Sequence, residues 1–277
     1  MIDSIALGGS SLRSIRAVAY HNVDNAMVPS FRRQLAHYKR WYDNVDENDL
    51  IRFFSKDGDR KIVDEPKRQR LKQGIIITFD DGLSNHYKVA APLLEEFGFK
   101  GWFFIPAGMP ELTAEEQRKF CLDNHLLAPK TPEGRIGMSV DEILDLESRG
   151  HVIGCHTMNH RRFSGPVDSV IADREIRDAK NALRSMAKRP ILSFAWVGGE
   201  PETYNAVAQR VIVDENFRFS FTTLSRKIDK KSNPLLLHRT VLDAEMAYPL
   251  FRAKLSGLSD IRHSIRRRSI ETRLAIQ

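Results

Sequence analysis

Apolar and polar positions along the chain follow two periods. Within residues 29–45, Phe31, Leu35, Tyr38 and Tyr42 recur at spacings of four, three and four, the stripe of an amphipathic helix. Ahead of it, "RAVAYH" is a short apolar run ending at His21 and predicts a buried strand. "GIIITF" at 74–79 predicts another strand. A helix follows over 87–97, with Gly98 where a C-terminal cap belongs. "GWFFIPAG" is again a strand. Residues 109–137 form a polar, proline-punctuated excursion with some helix around 114–122. Ser139 with Glu142 three residues on, then Ile143, Leu144 and Leu146, then Gly150, mark a helix from cap to stop. "HVIGCH" is the next strand, 169–186 a helix, "ILSFAWVGG" a strand and "TYNAVAQRVIVDE" a helix. "FRFSFTTL" and "LLLHRTVL" close the series. Strand and helix alternate at least four times, which predicts a parallel sheet or a (β/α) barrel. In such folds the working residues stand at the C-terminal ends of strands. His21, Asp80, Asp81, His156 and His238 all fall there.

Length and composition narrow this picture only modestly. A chain of 277 residues with 42% hydrophobic content builds one sizeable core. The expected layout is a loose segment 1–14, a single barrel domain 15–250, and a basic helix 251–277. A net charge of +7 favours anionic partners without naming one. Two cysteines make no disulfide framework. The N-terminal sequence lacks a basic segment followed by a long apolar one, and no apolar run approaches the roughly 20 residues of a membrane span. The expectation is a cytoplasmic protein. No nucleic-acid recognition motif is present.

The chemistry concentrates in two places. Asp80 and Asp81 leave a buried strand side by side before Gly82. An Asp-Gly pair after a strand is also ordinary turn and cap chemistry. Neighbouring residues leaving a strand point in different directions, so one carboxylate can bind a metal while the other faces a water. His156 and His160 follow another strand. Extended, they would stand roughly 13 Å apart and could not share an ion. A helical turn after Cys155 would bring them to about 6 Å. Alone, the pair also fits two surface or capping histidines. Two imidazoles and one carboxylate make an open hydrolytic metal site.

"TFDDG" at 78–82 and "HTMNH" at 156–160 resemble the first two motifs of the polysaccharide deacetylases, the NodB homology domain of carbohydrate esterase family 4. "VAYHNV", "FRRQLAHYKRWY", "APLLEEFGFKGWFFIPAG" and "MSVDEILDLESRGHVIGCHTMNH" extend the resemblance over residues 16–245, towards the branch of surface-polysaccharide biosynthesis. It implies a distorted (β/α)7, TIM-like barrel and one divalent ion: zinc, or else cobalt, nickel or manganese. It also implies hydrolysis of an N-acetyl group on an amino sugar, here a nucleotide- or lipid-linked precursor. By position Asp80 resembles the catalytic base, and Asp81, His156 and His160 the metal ligands. "LLLH" resembles the late motif whose histidine, His238, protonates the leaving amine, and "LHRTVL" also aligns to a branch in which the arginine, not the histidine, is the marked residue. The third motif departs from the family pattern: "FAWVGGEPETY" lacks the arginine that orients the base, a role Arg239 could take. His21 and Trp196 are candidate cleft residues. A deformylase or other amidohydrolase on the same scaffold, and an inactive carbohydrate-binding relative, are the competing readings. In the tail, Leu258, Ile261 and Ile265 fall at helical spacing among arginines. They predict either a docked helix with a solvated basic face or contact with an anionic membrane surface.

Overall fold

The computed structural model describes residues 14–55, 73–127 and 134–275; most of the expected loose segment 1–14 lies outside them. Eight strands form one parallel sheet: β1 (Ile15–Tyr20), β2 (Tyr42–Asn44), β3 (Gln73–Phe79), β4 (Gly101–Ile105), β5 (Val152–Cys155), β6 (Ser193–Ala195), β7 (Phe219–Thr222) and β8 (Leu237–Val241). Strand β1 pairs with both β8 and β3, which closes seven of them into a barrel. The eighth, β2, pairs with residues 73–75 of β3, while β4 pairs with residues 77–79 along the same edge. Thus β2 wedges between the lower ends of β3 and β4 and distorts the barrel. The wedge is fastened by the Trp102 indole N–H, which donates to the Val45 carbonyl at 3.1 Å. Neither β2 nor the helix after it is expected from the sequence: β2 is three residues long with no alternation to read.

Around the barrel run α1 (Val28–Trp41), α2 (Glu47–Phe54), α3 (Ala91–Glu96), α4 (Ala114–Asp123), α5 (Val140–Ser148), α6 (Ser169–Ala172), α7 (Ala179–Ala187) and α8 (Ala206–Asp214). The helices α9 (Tyr248–Leu255), α10 (Leu258–Arg262) and α11 (Ser264–Ala275) follow. The stripe on α1 buries Phe31, Leu35 and Tyr38. The cap of α5 is the capping box that its sequence spells: Glu142 N–H donates to Ser139 Oγ, and Ser139 N–H to the Glu142 carboxylate. π-helical turns at His86–Ala90 and Asp173–Asp178 lead into α3 and α7.

Strand residues sort into two apolar clusters. Val18, Ile75, Ile77, Phe79, Phe103, Ile105 and Phe194 belong to the larger, packed under the helices. Ala17, Ile76, Trp102, Phe104, Phe221 and Leu237 belong to the smaller, which fills the barrel interior. Alternation along each strand separates the two. Continuing the inner face upward from Ile76 leads to Thr78 and Asp80; from Leu237 it leads to Arg239. Both cysteines are buried and free.

The C-terminal segment is three helices rather than one. Asp260 of α10 forms a two-pronged ion pair with fully buried Arg16 at 2.7 and 3.0 Å, and Ile270 of α11 is the buried apolar anchor. With the docking made by these residues, Leu258, Ile261 and Ile265 face solvent. Among the described residues, no helix is long and apolar enough to cross a membrane.

Candidate active site

The two aspartates part company because of the backbone. Asp80 keeps strand direction and faces the barrel axis, its N–H donating to the Tyr20 carbonyl at 3.0 Å. Asp81 takes φ 76° and Gly82 φ 62°. A left-handed non-glycine residue costs about 1–3 kcal/mol and is held only by its surroundings. Gly82 is needed here, since a Cβ would meet Ile105 at 3.0 Å. The turn carries the Asp81 carboxylate off the strand axis towards the end of β5.

His156 follows β5 directly. Its Nδ1–H donates to the Ala195 carbonyl at 2.8 Å, so Nε2 is left facing Asp81 Oδ1 at 3.5 Å. His160 is oriented the same way: Nδ1–H donates to the Asn124 carbonyl at 3.2 Å, and Nε2 lies 3.1 Å from the same Oδ1. The ring centroids are 5.3 Å apart. The bend that joins them is not the helical turn expected after Cys155. Thr157 and His160 adopt φ 66° and 53°, and the loop folds back without helix. Buried Glu175, delivered by the second π-helical turn, holds it: its carboxylate accepts from the Asn159 N–H at 2.9 Å and from the Asn159 side-chain amide at 2.8 Å.

This arrangement fits a cation. With each Nδ1 committed as a donor, both imidazoles aim Nε2 at one anionic oxygen, as lone pairs when the rings are neutral. That oxygen, Asp81 Oδ1, is buried without a hydrogen-bond partner. The three ligand atoms lie within 4.8 Å of one another. Lone pairs converging on a carboxylate repel one another unless a positive charge sits among them. Burial opposes ionisation of Asp81, but His156 and His160 outweigh it and hold its carboxyl well below the usual range. Burial likewise opposes protonation of His160, and Asp81 overcomes it, raising the imidazole.

Asp80 is gripped separately. Arg239, fully buried on β8, donates to both its oxygens at 2.6 and 2.8 Å. Arg239 also donates to Thr78 Oγ1 at 2.9 Å and to the Thr222 carbonyl at 3.2 Å. Burial would raise the Asp80 pKa; the guanidinium and then His156 more than offset it and keep the group below the ordinary carboxylate value.

An open cleft of about 830 Å³ lies above these residues, lined by Asp81, His156 and His160 together with His21, Arg161 and Glu200 among others. His21, exposed just beyond β1, is fixed through its carbonyl, which accepts from the His86 Nε2–H at 2.5 Å. The altered third motif forms part of the wall. Gly198 has φ 79°, and a Cβ there would strike the Glu200 carboxylate and the Arg162 guanidinium at 2.6 and 2.7 Å. These two form a 2.8 Å ion pair.

Asp80 and Arg239 lie buried beneath the cleft, and two expected residues are away from the site altogether. His238 neighbours Arg239 on β8, so alternation turns it to the outer face. There its Nδ1 meets Thr222 Oγ1 at 2.7 Å, and it lines a separate pocket of about 380 Å³ with Arg226, Lys227 and Lys231. Burial, then Arg267 and Arg226, push its pKa down to about 3. Trp196 is buried against Phe163, Phe194 and Tyr204, its indole N–H donating to Ser220 Oγ at 3.0 Å. Two neighbours of the site, Arg161 and Glu175, are not singled out by the sequence: "RRF" directly after His160 is a visible signal for the first, whereas a glutamate inside a helix gives none.

A seven-stranded parallel barrel with a metal-competent Asp–His–His cluster at its C-terminal mouth has the architecture of a hydrolase barrel. The chain belongs to the polysaccharide deacetylase family, whose model matches residues 67–219. The fold is similar to that of the Streptococcus pyogenes deacetylase PplD in complex with acetate, at TM-score 0.66 and 17% identity, covering 87% of this chain and 97% of that one. It is also similar to IcaB from Ammonifex degensii, at TM-score 0.61 and 15% identity over 90% and 97% of the two chains. A de-N-acetylase from Aggregatibacter actinomycetemcomitans gives TM-score 0.63 and 16% identity over 87% and 99%. No curated protein sequence matches the chain.

Proposed function

We propose that the chain is a metal-dependent hydrolase that removes the acetyl group from an N-acetylated amino sugar. One observation carries this reading. Asp81 Oδ1 stands within 3.1 and 3.5 Å of two imidazole nitrogens, beside a second carboxylate that Arg239 holds ionised. Asp81, His156 and His160 would hold a divalent cation, whose Lewis acidity polarises the acyl oxygen and acidifies water. The donor set of two nitrogens and one oxygen suits zinc and accepts cobalt, nickel or manganese.

Asp80 takes the proton of the attacking water. Its depressed pKa makes it a weak base but guarantees the ionised form at neutral pH, and Arg239 fixes both its oxygens in place. The water oxygen adds to the acyl carbon, the C–N bond breaks, and the amine leaves with a proton. His238 faces away from the cleft, so it is not the donor of that proton. His21 lines the cleft together with the candidate cation ligands, and it takes the role. Precursors of a surface polysaccharide, nucleotide- or lipid-linked and handled in the cytoplasm, are the substrates the sequence resemblance favours. The test is release of acid from N-acetylated and N-formylated amino sugars, with and without chelator. Acetate release abolished by chelator and restored by zinc supports the reading. Formate as the sole product would make it a deformylase, and sugar binding without turnover would refute a hydrolase.

A further inference from the structure

Three arginines and four carboxylates line the cleft, and their pairing leaves one arginine over. Each acid there has a cationic or ligating partner: Asp81 faces His156 and His160, and Asp123 pairs with Lys119 at 2.6 Å. Glu200 pairs with Arg162 at 2.8 Å, and Glu175 with the Asn159 amides and, at 3.4 Å, Arg174. Two of the three cleft arginines are thereby committed. The third, Arg161, forms no ion pair among the described residues, and its Nε is buried without a hydrogen-bond partner. Its main chain is not free to move away, because its N–H donates to Thr157 Oγ1 at 2.9 Å. It directly follows His160, one of the three candidate cation ligands. A guanidinium with an unsatisfied buried donor is costly to hold unless something anionic completes it, and its planar fork suits phosphate and carboxylate oxygens.

We infer that Arg161 is a substrate-binding residue, and that the sugar entering this cleft carries an anionic group. The inference rests on the hydrolase reading of the same cleft and adds the class of substrate. Phosphate and carboxylate share the chemistry, and the experiment separates them. Deacetylation of N-acetylglucosamine 1-phosphate, an N-acetylated aminohexuronate and a neutral N-acetylglucosamine oligomer is compared for wild type, R161Q and R161K, all loaded with zinc. In wild type one anionic sugar should exceed the neutral one in kcat/KM, and the advantage should shrink as salt is raised. R161Q should cut the anionic-to-neutral ratio by about ten- to a hundredfold, the range for a hydrogen bond to a charged group, and R161K should keep part of it. The ratio cancels any general loss of fold or cation, so a merely structural role for Arg161 would leave it unmoved. Direct binding of each anionic sugar to cation-free wild type and R161Q, followed by NMR titration, gives a readout independent of turnover.

Deacetylation with the same ratio in wild type and R161Q, or with the neutral oligomer preferred, overturns the inference and leaves the hydrolase standing. Arg161-dependent binding of anionic sugars with no amide cleaved under any condition does the reverse.

Discussion

Replacing Arg239 by methionine removes a guanidinium of similar length and leaves the Asp80 carboxylate buried with no counter-charge. Asp80 is 2% exposed and Arg239 is fully buried; two charge-assisted bonds at 2.6 and 2.8 Å join them. Breaking a buried pair by deleting one partner costs about 3–5 kcal/mol, mostly the penalty of the orphaned charge. For a chain of this size that is a fall in Tm of roughly 10 °C. D80N alone orphans the guanidinium instead. The double variant D80N/R239M has neither charge and should recover much of the loss, giving a coupling energy of about 3 kcal/mol. The assay is urea denaturation of the four cation-free proteins at pH 7, followed by circular dichroism. The sign with pH follows from the same pair. Asp80 has a folded pKa below its unfolded value, so its contribution is full above about pH 4 and fades as pH falls through the folded pKa. R239M should lose that acid-side contribution. Additivity of the two single costs to within about 0.5 kcal/mol would show that the pair is not coupled and refute the reasoning.

Three further outcomes are expected. H238Q should keep turnover within about threefold of wild type while H21Q loses about a hundredfold, the usual scale for a positioned proton donor; the opposite pattern would return the acid role to the outer face of β8. Burial pushes the His86 pKa down to about 4. The unfolded chain therefore binds more protons below about pH 6.5, and stability is lost as pH drops from there. Between pH 7 and pH 5 His86 should account for about 2 kcal/mol of that loss, visible as a flatter pH profile for H86Q. E175Q leaves Asn159 one strong acceptor short, so cobalt affinity measured by titration should weaken about 10- to 100-fold while the cation-free fold melts cooperatively; an unchanged affinity would mean that Glu175 does not set the position of His160.

Much of the fold was legible because its strands are long apolar runs and its helices carry caps and stripes. The capping box at Ser139 and the strand "GIIITF" needed no tertiary information. The parts that were not legible depend on such information. Strand β2 exists because it pairs with β3 and because Asn44 and Val45 accept from the Lys100 N–H, just before β4, and the Trp102 indole on it, which no local pattern announces. The convergence of Asp81 with His156 and His160 was readable as residue types at strand ends, but the turn that achieves it uses left-handed Thr157 and His160, and a β-branched threonine is a rare choice for that backbone. Arg239 and His238 show the limit most sharply. Side by side in sequence, they lie on opposite faces of one strand, and a one-residue choice of face decides which meets Asp80. The tail misled for a related reason: its regular apolar stripe faces solvent because Asp260 and Ile270 make the contacts instead.

The most direct test of the account is acetate release by zinc-loaded D80N, with the zinc content of the same sample determined. The account expects one zinc per chain, as in wild type, and turnover lower by at least about a hundredfold. Wild-type turnover in this variant, or loss of the cation along with the activity, would contradict the separation of base from cation ligands on which the mechanism stands.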